Sequence, residues 1–291
     1  MPDNTAEEDA ALRASGHTAG APVALTVAGS DPSGGAGAQA DLKTFHQHGV
    51  YGAAVISLLT VQNTRGCERV QVLPAELVAA QLRAVLTDLP VRVLKTGALG
   101  SAENVQAVAE ALRERAAPGR LLAVVDPVRL ASAGPGGALL SDDARDVLLR
   151  ELLPHVTVLT PNLAEAAWLT GREVTTLAQA RDAARALLDL GPRAVLVKGG
   201  HLEGPAVDVL ALDGSLHDLH AERVVTGAGH GTGCSLASAI AARLAQGEEP
   251  LHAVIQAKEW VRRALLTAPP RGAGVWPLNH FAPVPPRTED H

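Results

Sequence analysis

Short apolar runs recur along the chain, each closed by a polar or glycine cluster and followed by a stretch of helix formers. Val23 to Ala28 (VALTVA) stops at Gly29-Ser30-Asp31-Pro32, which predicts a strand and then a turn. Gly34, Gly35 and Gly37 lead into a helical run, Ala38 to His48, that Gly49 ends. This places Asp41 on the first turn, where a carboxylate either complements the helix dipole or faces the mouth of a pocket. Ala53 to Val61 is continuously apolar, as in a strand buried on both faces, and ends in Gln62-Asn63-Thr64. The alternation continues through helix Pro74 to Leu86, strand Val91 to Leu94, helix Ala102 to Ala116 and strand Leu121 to Val125. Val156 to Leu159 and Ala194 to Val197 repeat it, ending in Thr160-Pro161-Asn162 and Lys198-Gly199-Gly200.

Strand and helix in regular alternation predict a three-layer αβα sandwich with a largely parallel central sheet. Val207 to Leu212 and Leu216 to Ala221 read as a hairpin turning at Asp213-Gly214. Amphipathic helices, Ser235 to Ala245 and Leu251 to Leu266, close the core. Residues 22–270 are expected to form the folded domain, 1–21 a disordered tail and the Pro-rich 271–291 a surface segment.

Composition then narrows the function. Apolar residues make up 47 % of the 291, enough for a large core, while aromatics at 2 % leave few platforms for stacking nucleic-acid bases. A net charge of -6 with no basic block also argues against nucleic acid, and no apolar run has the length of a membrane span. The acidic N-terminus lacks the basic-then-apolar order of a secretory signal. Two cysteines, Cys67 and Cys234, make no disulfide framework, so a reducing cytoplasm is expected.

The chemistry centres on Val225 to Leu244, VTGAGHGTGCSLASAIAARL. A strand-like run over Arg223 to Thr226 enters a turn containing Gly227, Gly229, Gly231 and Gly233, and a helix leaves it. Free N–H groups of Gly231, Thr232, Gly233 and Cys234 at the positive end of that helix make an anion site suited to phosphate. The same field favours a Cys234 thiolate. By itself the string fits a plain glycine loop equally well. However, strand ends on the same edge of the sheet add Gln62, Lys95, Asp126, Asn162, Glu165 and Lys198. Carboxylate and amide oxygens suit hydrated Mg²⁺, lysines suit phosphate, and together they read as a phosphoryl-transfer site. No G-x-x-x-x-G-K-[ST] string is present, and no G-x-G-x-x-G follows the first strand.

The strings AGSDPSGGAGAQADLKTF, TVQNT, KTG, DPV, TPNLAEA, VKGGH and GHGTGC occur in an order that resembles the hydroxymethylpyrimidine and hydroxymethylpyrimidine-phosphate kinases. These are ribokinase-like enzymes of thiamine biosynthesis, and the resemblance runs from about Val23 to Leu266. It implies MgATP-dependent phosphorylation of the pyrimidine alcohol and then of its monophosphate, by a homodimer. It places Gly29, Asp41, Gln62 and Gly97 against the aminopyrimidine and Lys258 near a substrate phosphate. Gly231 to Gly233 become the anion hole and Cys234 the general base. Asn162 and Glu165 fall to Mg²⁺, and Asp126, Lys198 and Thr226 to the nucleotide.

Two departures stand out. KTGAL carries Ala98 where the family usually has methionine, which predicts a roomier ring pocket. Leu130-Ala131-Ser132-Ala133-Gly134 lacks the usual lysine, which bears on the second phosphorylation. A pyridoxal kinase is the runner-up, since relatives with the same GTGC ending act on the vitamin B6 ring. Val61-Gln62-Asn63-Thr64 favours the pyrimidine. Gly233-Cys234-Ser235-Leu236-Ala237 falls one residue short of a serine-hydrolase elbow, and a non-catalytic nucleotide-binding regulator is the remaining alternative.

Overall fold

Neighbouring residues on each central strand bury toward opposite layers, and this alternation produces the sandwich. The computed structural model describes residues 20–115, 121–130, 137–200 and 206–286. The expected 1–21 tail, except for its last two residues, and the 131–134 stretch lie outside the described residues. Ala24, Val93, Val124, Val158 and Leu196 face one layer, and Leu25, Leu94, Val125, Leu159 and Val197 the other.

The strands are β1 Val23–Ser30, β2 Tyr51–Asn63, β3 Gly66–Val72, β4 Val91–Thr96, β5 Leu122–Val125, β6 Val158–Leu159, β7 Ala194–Val197, β8 Ala206–Leu212 and β9 Ser215–Ala221. They form one sheet in the order β3-β2-β1-β4-β5-β6-β7-β8-β9. Pairing is parallel from β2 through β7, while β3, β8 and β9 join antiparallel. The chain runs from β1 outward to β2 and then returns to the other side of β1 for β4. A crevice therefore opens at the C-terminal ends of β1 and β4, where open α/β sheets hold ligands.

Helices α1 (Gly37–Gln47), α7 (Thr232–Ala245) and α8 (Pro250–Leu266) cover one face through Phe45, Ile240, Val254 and Trp260. The other face is covered by α2 (Ala75–Asp88), α3 (Ala102–Arg113), the short α4 (Ala144–Val147), α5 (Leu163–Thr170) and α6 (Leu177–Leu188). The β8–β9 hairpin turns at Asp213 and Gly214, both at positive φ (48° and 78°), as a two-residue mirror-image turn requires.

Four features differ from the sequence reading. β2 outruns the parallel sheet and from Thr60 onward pairs only with β3, and Leu59 and Val61 are 47 % and 53 % exposed. Residues 223–226 form no strand, and Val225 is 97 % exposed; the strand is instead β10 (Ala228–His230). Its partner is β11 (Trp276–Pro277), in the segment expected to lie on the surface. Leu278 and Ala282 are buried with Trp260, and Pro285 and Ala282 carbonyls accept hydrogen bonds from Arg243 and Trp260. Proline-rich composition concealed this packing, because the contacts fall on isolated small and apolar residues rather than on a periodic face. Finally, Asp41 sits beyond the first turn of α1.

Two histidines pack against Trp260, His48 edge-on at 4.8 Å between ring centroids and His280 at 6.4 Å. Burial, followed by the charge of Arg243 for His48 and of Lys43 for His280, lowers each to about 4. Their folded values lie below the unfolded 6.5, so their contribution is complete above that pH and is lost as pH falls toward 4. The urea midpoint should fall through this window, and His280→Gln should flatten the decline.

Candidate active site

The start of α7 is shaped by glycine. Gly231 has φ +79°, and a Cβ there would run into the Gly35 carbonyl, so the loop after β1 and the start of α7 interlock. The first helical bond runs from the Ser235 N–H to the Gly231 carbonyl at 2.9 Å, and Thr232 Oγ1 donates to the Gly229 carbonyl at 2.8 Å. The N–H groups of Thr232, Gly233 and Cys234 thus precede the helical ladder at the positive end of the helix. A Cβ on Gly233 would stand 3.3 Å from Lys198 Nζ and 3.4 Å from Asp126 Oδ2.

Lys198 and Asp126, at the ends of β7 and β5, are paired at 2.8 Å, and Glu165 Oε2 lies 4.0 Å from the same ammonium. Burial alone would lower Lys198, but the Asp126 and Glu165 carboxylates override it and raise it to about 12. Burial and the neighbouring Asp126 charge hold Glu165 at about 7 despite Lys198. Asn162 and Glu165 form a reciprocal cap on α5, each side chain accepting the other's N–H at 2.8 Å. Asn162 is therefore engaged in holding Glu165.

Beneath this helix start, Lys95 Nζ donates to both Asp41 oxygens at 2.8 Å, with neither side chain exposed. Thr26 and Ser238 hydroxyls donate to the same carboxylate at 2.6 Å. Burial opposes the Lys95 charge, but Asp41 raises it overall. The placement of Asp41 against the aminopyrimidine is thus corrected: its oxygens are taken by Lys95, Thr26 and Ser238, inside the protein.

A cavity at the crevice between β1 and β4 brings together Gly29, Gln62 and Cys234, walled by Leu58, Ala98 and Leu139. Leu58, Ala98 and Leu139 form one small apolar cluster at this wall. Gly97 lies just behind Ala98, its N–H donating to the Val27 carbonyl at 2.9 Å. The expected Cys234 thiolate is also corrected: burial, with Asp41 and Asp126 charges outweighing Lys95 and the Gly37 amide, pushes the thiol up to about 11.

Sequence reasoning missed two lining residues, Asp31 and His230. Asp31 accepts from the N–H groups of Ser33, Gly35 and Ala36, from the Ser33 hydroxyl and, at 2.8 Å, from His230 Nε2. Burial alone would raise Asp31, but the His230 and Ser33 hydrogen bonds hold it below the usual carboxylate range. The signal was present in the Ser-Asp-Pro-Ser turn and in the histidine of GHGTGC. Their separation by 199 residues hid the pairing.

Two other expected residues stand apart. Thr226 is in the exposed loop before β10, its hydroxyl accepting from the Ala228 N–H at 3.1 Å. Lys258 pairs with Asp208, on a separate cleft of about 690 Å³ between β9 and α8.

A helix start set above a lysine and two carboxylates is chemistry that can stabilise a moving phosphoryl group, and the fold is that of the ribokinase-like small-molecule kinases. The model of the phosphomethylpyrimidine kinase family matches residues 31–279, and the chain belongs to that family. A hydroxymethylpyrimidine/phosphomethylpyrimidine kinase of Streptomyces coelicolor is 48 % identical over 259 residues, 89 % of this chain and 94 % of that protein. A Staphylococcus aureus pyridoxal kinase, solved with AMP-PCP and pyridoxal, superposes with TM-score 0.81 at 31 % identity, covering 90 % of this chain and 95 % of that one. A Clostridium difficile phosphomethylpyrimidine kinase gives 0.72 at 37 % identity, over 84 % of this chain and 99 % of that one.

Removing one partner of the buried pair should be far worse than removing both. Lys95→Met should cost about 3–5 kcal/mol by leaving Asp41 charged and unpaired, and Lys95→Met with Asp41→Leu should recover most of it. Urea titration of the two variants checks this.

Proposed function

We propose that the chain transfers a phosphoryl group from ATP to hydroxymethylpyrimidine, and then a second one to the resulting monophosphate. The observation that carries this reading is the presence of Gln62 and Cys234 on one cavity, at the foot of the α7 start. A carboxamide can donate to a ring nitrogen and accept from the adjacent exocyclic amine, the pattern an aminopyrimidine offers. Gly29 adds backbone at the ring, and the N–H groups of Thr232, Gly233 and Cys234 face the charge that develops on the transferred group.

Lys198 supplies a fixed cation beside those amides. Asp126 and Glu165 fit a magnesium ion: a carboxylate held at about 7 by burial and like charge is one that a divalent cation would ionise. Bound there, magnesium would neutralise phosphate charge, and Asn162 serves it by orienting Glu165. Cys234 keeps its proton near neutral pH and acts by positioning the substrate hydroxyl. A loose phosphoryl transition state needs little prior deprotonation of the attacking oxygen. A reducing cytoplasm suits the two free cysteines, and a second copy of the chain suits the exposed Leu59 and Val61 on β2.

Mass analysis of products tests the assignment, with MgATP and either the pyrimidine alcohol or pyridoxal supplied separately. Mono- and then diphosphate from the pyrimidine is expected. Preferential phosphorylation of pyridoxal, the ligand of the Staphylococcus aureus neighbour, would make the vitamin B6 ring the substrate.

Cys234→Ala should lower kcat without changing the shape of the pH–rate profile between about pH 6 and 9, because no thiol titrates there. Loss of an ascending limb in that variant would make Cys234 the base.

A further inference from the structure

His230 is 1 % exposed and lines the cavity, yet neither nucleotide nor magnesium chemistry requires it. Its ring is seated on the loop after β1: a Cβ on Gly35 would stand 3.1 Å from His230 Nε2 and 3.0 Å from Pro277 Cβ. Every other group that touches the Asp31 carboxylate is a donor, so the carboxylate is ionised and His230 Nε2 must carry the hydrogen it shares. His230 Nδ1 is buried with no partner among the described residues, so the Asp31 contact alone fixes the ring's tautomer.

The Gln62 carboxamide reaches the same atom, with 3.4 Å between Gln62 Nε2 and His230 Nε2. Two N–H groups cannot bond each other. A half-turn of the carboxamide exchanges oxygen for nitrogen without changing its shape, and the neighbouring hydrogen decides between the two settings. With its one hydrogen directed at Asp31, Nε2 keeps no lone pair for an amide hydrogen, so Gln62 Oε1 turns toward it as the second, weaker acceptor and the Gln62 amide hydrogens turn toward the ligand.

We propose that Asp31 and His230 are positioning residues that fix the polarity of the Gln62 carboxamide, and thereby select a ring bearing an acceptor nitrogen beside an amine. In this setting Gln62 donates to the ring nitrogen, and the second lone pair of Oε1 accepts from the amine. The 4-oxo analogue has the inverse edge, with a hydrogen on the ring nitrogen and an acceptor beside it. It fits only the reversed carboxamide.

This inference rests on the pyrimidine kinase reading, and one experiment separates the two. The kcat/KM values for the aminopyrimidine alcohol and its 4-oxo analogue are measured for wild type, His230→Leu, His230→Gln and Asp31→Asn. Wild type should prefer the amine, and His230→Leu should lower that preference about tenfold or more, chiefly by raising KM for the aminopyrimidine with KM for MgATP unchanged. His230→Gln, whose amide can donate to Asp31 and Gln62, should restore the preference. Asp31→Asn, which removes the fixed carboxylate without removing bulk, should lower it and gives a second reading if His230→Leu does not fold. If the two pyrimidines lose activity together and the ratio stays at the wild-type value in the folded variants, the inference is overturned while the functional reading stands. If wild type turns over neither pyrimidine, both are overturned.

Discussion

The buried Lys95–Asp41 pair holds together the elements on which the site depends. Lys95 comes from β4, Asp41 from α1, Thr26 from β1 and Ser238 from α7, so one carboxylate joins strands that part at the crevice to the helix that fills it. Two charges out of water are costly, and hydrogen bonds to the remaining lone pairs offset that cost only when geometry is good. Here both hydroxyls are in place. The pair thereby ties α7 to β4 and α1, and at the start of that helix a Cβ on Gly233 would stand 3.3 Å from Lys198 Nζ.

Two layers of charge lie under that helix start and serve different ends. The inner layer, Lys95 with Asp41, is closed to solvent and neutral as a unit. The outer layer, Lys198 with Asp126 and Glu165, sets one cation against two carboxylates, and burial with the Asp126 charge holds Glu165 at about 7 despite Lys198. The inner pair is structural and complete, whereas the outer group is left short of positive charge. Burial and the Asp41 and Asp126 charges likewise push the Cys234 thiol up.

Much of the sandwich was legible because a buried parallel strand must be continuously apolar and must end in polar residues where the chain turns. That rule found β1, β4, β5 and β7, and the glycines of GHGTGC marked the start of α7. It failed where burial is one-sided or local. β3 alternates too many polar residues to be seen as a strand, and β11 is only two residues long. Cys234 and Gln62 were legible as candidates because each lies near the start or end of an element, Gly29 was proposed by resemblance, and the fold brings all three onto one cavity. Asp41 looked equally eligible, since one dimension cannot distinguish a carboxylate facing solvent from one turned inward onto a lysine. Asp31 and His230 escaped for the converse reason, their chemistry existing only across the fold.

β11 pairs with β10 next to His230, and Pro277 and the His230 ring both pack over Gly35. A segment made long after β1 therefore seats a side chain of the cavity. A nascent chain can lay down the central sheet well before this segment leaves the ribosome, since domains fold as their sequence emerges. The pocket is completed only once this segment is made, so a chain that stops short of Trp276 would carry the sheet and the helix start but lack the segment that finishes the site.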